Sequence, residues 1–207
     1  MNLPNIKYCG DFAKYIEAKD SKYECVSFYK PKEYFATSDA YTAYVKACEK
    51  TVRNAPDYKT FINYVKGVIG INFCQVSSQI FDTDATIEMH HGPIFTLYDY
   101  CDIVLNYYIM KGWKISTFRI ADTVLNEHIK NRIHVVMLSP TVHEEVHLRE
   151  IFINIQQAWG DLHGFLKKYG KALSDEQIQK YNRYLDKSMM MDTNTYDILK
   201  LNEKLIR

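Results

Sequence analysis

An excess of charge of either sign is the first thing this 207-residue chain lacks: 26 Lys and Arg stand against 25 Asp and Glu, a formal net charge of +1. That balance excludes a global field drawing the protein to nucleic acid or to a membrane, so polyanion binding must come from a local patch. Long apolar runs are missing too. None approaches the roughly 20 residues that a membrane-spanning helix needs, and no membrane partner is expected. The start, Met1-Asn2-Leu3-Pro4-Asn5, has neither a charged segment nor an apolar one, so no signal peptide is expected. Cysteine is sparse. Cys9, Cys25, Cys48, Cys74 and Cys101 are odd in number, widely spaced and without a Cys-x-x-Cys, which reads as reduced thiols rather than a disulfide framework. With 8 Gly and 5 Pro there is no Pro/Gly/Ser-rich linker to cut the chain, and no internal repeat. One soluble domain over 1–207 is expected, in the cytoplasm.

What is present is aromatic: 14% of residues, including seventeen Tyr. The pattern predicts an α+β fold that is mostly helical. Residues 1–85 should carry one or two short strands before Lys30-Pro31-Lys32, a helix capped by Ser38-Asp39 and running to about Asn54, a helix from about Asp57 to Val68, and a possible strand from Ile71 to Ile80. Thr86 to His90 alternates apolar and polar residues and reads as a strand ending at Gly92-Pro93. Helices follow at Leu97–Met110 and Ser116–Lys130, the first with a stripe of Leu97, Tyr100, Cys101, Val104, Leu105 and Tyr108. Ile133 to Leu138 reads as a second strand. Ser139 as N-cap and Pro140 in the first turn then open a helix to about Trp159. Gly160, Asp161 and Gly164 loosen the pattern after it. Ser174-Asp175-Glu176-Gln177 is a capping box opening a helix to about Met190. A last turn or short helix is expected between Asp192 and Arg207.

All seven histidines lie between positions 90 and 163. Four of them form two pairs: His90-His91 at a strand end, and His143 with His147, four apart and so on one face of a helix. Neutral imidazole is a good ligand for zinc and related divalent metals, and this layout predicts a metal site. Neighbours on a strand point to opposite faces, so one of His90 and His91 should bind metal while the other faces a bound substrate. His128 is read on the exposed end of its helix, and His163 in a loose turn. His143-Glu144-Glu145-Val146-His147 also fits the His-Glu-x-x-His pattern of zinc metalloproteases, with Glu144 as base and His163 or Glu176 as third ligand.

Ile87-Glu88-Met89-His90-His91-Gly92-Pro93, followed by Val135-Val136-Met137-Leu138-Ser139-Pro140-Thr141-Val142-His143-Glu144-Glu145-Val146-His147, resembles the HNH (His-Me finger, ββα-metal) nuclease motif. About 25 residues carry the match directly. The chain departs from the family in the 51 residues between His91 and His143. It also lacks a clear counterpart of the family's Asn and the Cys pairs that brace many members. The resemblance implies an HNH-like core at 86–158 with a helical insertion at 97–130, and C-terminal helices at 159–207. It implies one divalent ion (Zn, Mg or Mn) on His90, His143 and His147, with His91 as general base. Asn131 and His134 would support these ligands. Lys111, Trp113, Lys114, Arg119 and Arg132 would hold the substrate, DNA more than RNA, with Trp113 stacking on a base.

Two functions are therefore expected. One is phosphodiester hydrolysis of nucleic acid. The other is a non-catalytic HNH-fold phage protein, a virion component or a regulator that binds a phage or host protein. The Tyr-, Lys-, Asn- and Ile-rich style of the chain, together with that core, resembles a bacteriophage protein.

Overall fold

A computed structural model describes residues 29–190. The strands expected before Lys30 and the tail expected after Asp192 lie outside them. Seven α-helices and two short strands follow in order, with a single 3₁₀ turn at Lys32–Phe35 before them. They are α1 (Ser38–Asn54), α2 (Pro56–Gly67), β1 (Glu88–His91), α3 (Leu97–Lys111), α4 (Thr117–Ile129), β2 (Val135–Leu138), α5 (Pro140–His147), α6 (Leu162–Tyr169) and α7 (Asp175–Met190). The α+β reading holds at this level: a mostly helical chain with one two-stranded antiparallel sheet.

Five of the seven helices begin where side chains satisfy the first free amides. Thr96 and Asp99 form a reciprocal capping box at the start of α3. Ser116 caps α4, and Ser174 and Gln177 exchange bonds at the start of α7. Thr37, not Ser38, caps α1. The expected α3 stripe is buried, with Ile103 added to it, so α3 is covered on most sides. It packs with α1 and α4 as a three-helix layer.

Three stretches differ from the expected pattern. Ile71 to Ile80 is no strand. Cys74 and Val76 turn into the core, Ser78 adopts a left-handed backbone (φ 55), and pairing is limited to a single bridge of Phe73 with Phe81. Gln75 instead closes the free edge of β2. Its amide nitrogen donates to the Met137 carbonyl at 2.8 Å, and its Oε1 accepts from the Met137 amide at 2.7 Å. The helix from Pro140 ends at His147. Glu150 N donates to Glu145 O and Arg149 N to Val146 O, with Arg149 at φ 63, which is the Schellman closure with arginine where glycine is usual. Beyond it Ile151 and Ile153 are buried on alternate positions, a period no helix has. The stretch read as loose after Trp159 contains α6, capped by Asp161, which accepts from the Gly164 amide at 2.9 Å.

β1 and β2 pair in the register His90 with Val136 and His91 with Val135. Every residue of β2 is buried, while β1 alternates exposed Glu88, buried Met89, half-buried His90 and buried His91. β2 therefore lies inside the molecule and β1 has one face toward a groove.

Candidate metal centre

The site grows from that alternation. Glu88 and His90 share one face of β1, two residues apart, and α5 starts directly after β2, so His143 and His147 face the same side. Pro140 in the first turn starts the helix, although the Ser139 hydroxyl is buried without a partner and does not cap it. The three imidazoles each present a nitrogen, all within 4.8 Å of one another. His143 Nε2 and His147 Nε2 are 3.1 Å apart, close to the edge of about 3.3 Å expected between two ligands at 2.0–2.1 Å from a tetrahedral ion. The His90 ring stands edge-on to both, with centroids at 4.9 and 5.2 Å.

His143 is oriented from behind. Its Nδ1 is 2.7 Å from Glu88 Oε2, which leaves Nε2 with its lone pair toward His147, the carboxylate–imidazole–metal arrangement of metal centres. Glu88 was not singled out by sequence reasoning, yet its position two residues before His90 on a strand was the available signal. Gly92 has a role in the same place. A Cβ there would lie 3.0 Å from the His90 ring, so a side chain at this position would push that ring from its place. Burial, then the charges of His143, His147 and Arg53, lowers the His90 pKa to about 4. That ring is neutral and free to ligate at neutral pH.

His91 is placed otherwise than expected. It points to the opposite face of β1 and is only 5% exposed. Its Nε2 is 2.9 Å from His128 Nε2, and its ring stacks on Tyr58. His128 is a correction too. Rather than sitting on an exposed helix end it is fully buried, with Nδ1 2.8 Å from the Val124 carbonyl. Burial first, and for His91 the neighbouring His128 next, pushes both pKa values down, His128 to about 4. Both rings are neutral core groups.

The remaining expected residues lie elsewhere. Lys111 sits over the Tyr107 ring, Lys114 over Tyr29 and Arg119 over Tyr108. Trp113 packs edge-on against Tyr107 and Tyr108. Arg132 pairs with the buried Glu127 at 3.3 Å. None of the five lines the groove into which His90 and His147 open. Asn131 adopts a left-handed turn (φ 56), and its carbonyl accepts from the Asp161 amide at 2.6 Å. His134 is buried, with its backbone amide donating to the Tyr100 hydroxyl at 3.0 Å. Neither bonds to the three clustered histidines; Glu88 does. For the protease pattern, neither His163 nor Glu176 joins the cluster, which among the described residues consists of His90, His143 and His147.

Among the described residues no helix is long and apolar enough to cross a membrane. A family model described as bacteriophage G278-like virion protein matches residues 6–206, nearly the whole chain. No curated protein and no solved structure matches it.

Proposed function

The chain belongs to the bacteriophage G278-like virion protein family, and on that premise we propose that it is a non-catalytic component of the phage particle whose core holds one divalent transition metal ion on His90, His143 and His147. The convergence of three imidazoles, one of them oriented by Glu88, carries the metal half of this reading. Three neutral nitrogen ligands suit zinc. They suit magnesium poorly, since magnesium prefers oxygen and keeps its waters. An ion so held ties β1 to α5, and because it binds only the folded chain it stabilises it by linkage.

The hydrolytic reading needs more than ligands. An HNH-type reaction requires a base within reach of a water beside the metal. His91, the residue the resemblance assigns to that task, faces Tyr58 and His128 on the far side of the strand. The expected substrate-holding residues are spread away from the groove. A structural role therefore accounts for more of the site than a catalytic one.

The test combines metal content, melting temperature and plasmid nicking. One zinc per chain, a melting temperature that falls on chelation, and no nicking with Mg²⁺, Mn²⁺ or Zn²⁺ are expected. Nicking by the wild-type protein that disappears in His143→Ala would overturn the non-catalytic reading. A zinc-free protein that stays zinc-free after dialysis against the metal would overturn the metal reading.

A further inference from the structure

The three-histidine cluster opens into a groove, a space of about 1080 Å³ that His90 and His147 line on one side. The opposite wall is one face of α7: Lys180, Arg183, Tyr184 and Lys187 recur at three- and four-residue spacing and all line the groove. Arg149, held outward by the turn that ends α5, adds a further cation. The acids of the groove are largely engaged. Asp99 pairs with Lys180 at 2.8 Å, and Asp102 accepts from Tyr41 and Gln177. Arg149, Arg183 and Lys187 have no carboxylate partner among the described residues, and only Glu176 stands against them.

Apolar side chains fill the rest of the wall. Phe152 stacks on Tyr184 with centroids 4.7 Å apart, and Lys187 lies over Phe152 at 4.1 Å. These rings cover one another, so they offer a wall for side chains rather than platforms on which bases would stack. Val146, Ile151 and Pro93 continue that wall toward the histidines.

We propose that this groove receives an acidic peptide segment of a neighbouring protein of the particle, one carboxylate of which takes the open position of the metal while others meet Arg183 and Lys187. The inference rests on the metal reading above, since three protein ligands leave a fourth position facing the groove. Carboxylates are hard oxygen donors that zinc accepts readily, and the basic stripe supplies both steering and register.

The probe is a fluorescent oligoglutamate titrated into the full, zinc-loaded chain at physiological salt, with oligolysine and an oligothymidylate of the same length beside it. Oligoglutamate should bind, and oligolysine should not. The Arg183→Ala/Lys187→Ala double variant, altered only at exposed positions, should keep its zinc and bind about tenfold more weakly, and chelation should weaken binding by a similar factor. Absence of oligoglutamate binding, binding unchanged in the double variant, or tighter binding of oligothymidylate would each overturn the proposal. Zinc measured in the same samples separates the two readings. Zinc without peptide binding sinks only this inference, whereas a chain that takes up no zinc sinks both.

Discussion

His90 and His91 are neighbours of identical chemistry with opposite fates. His90 faces a groove, meets two more imidazoles from α5, and is backed by a strand partner, Glu88, that orients one of them. His91 faces the core, meets His128, and is closed over by Tyr58. Both are kept neutral by burial. On the groove side three imidazoles each present a nitrogen within 4.8 Å of the others, which suits an ion. On the core side the second imidazole satisfies the first, and the pair is a buried polar contact inside an aromatic shell. What separates a candidate ligand from a core histidine here is the face of the strand, one residue apart.

That contrast can be broken by substitution. Removing a ligand has the largest expected effect: His147→Ala should weaken zinc binding on the order of 1000-fold, an even share of the free energy of structural zinc sites. Equilibrium dialysis against zinc checks it, and the fold should survive because His147 is exposed. Next comes the core pair. His128→Ala removes a fully buried ring and leaves His91 Nε2 without a partner, which should destabilise by about 3 kcal/mol while zinc stoichiometry is retained. Denaturant melts with metal analysis would show the reverse pattern if the roles of the two faces were exchanged.

Smaller effects sharpen the comparison. Glu88→Gln should weaken zinc about 10- to 100-fold without abolishing it, because His143 loses its charged orienting partner. Unchanged affinity would mean that the 2.7 Å contact does not orient the ligand. The mildest test is pH. His128 has a folded pKa of about 4, and His91 is lowered in the same direction. The unfolded chain, with ordinary histidines near 6.5, binds more protons between these values, so stability is full above pH 6.5 and declines as pH falls toward 4. Each group contributes a slope of about 1.4 kcal/mol per pH unit within that window. Zinc-free wild-type protein should therefore lose melting temperature on acidification faster than zinc-free His128→Phe.

Much of this was legible beforehand. The α3 stripe, the capping box at the start of α7, and the i,i+4 histidines of α5 are local patterns, and local patterns survive folding when burial agrees with them. The misreadings have physical causes. α5 ends on a left-handed arginine, and no residue type announces a Schellman turn when glycine is absent. Ile71 to Ile80 has the composition of a strand, but Cys74 and Val76 turn into the core and Gln75 takes the ladder position beside β2. His128 lies beside exposed Ile129 and Lys130, and the available signal was its helical spacing from Val124 and Leu125, which continues the buried stripe of Ile120 and Ala121.

By itself the sequence determined the helical periods, the capping box that opens α7, and the set of imidazoles that two short elements could bring to one face, because these depend on neighbours a few residues away. Tertiary structure alone decided which histidine of the adjacent pair faces the groove, which carboxylate stands behind His143, and that the basic stripe of α7 lies across from the cluster rather than the cations of α3 and α4. Those outcomes depend on which face of β1 the helical layer covers, a choice made by burial summed over the whole core and not by any residue beside the site.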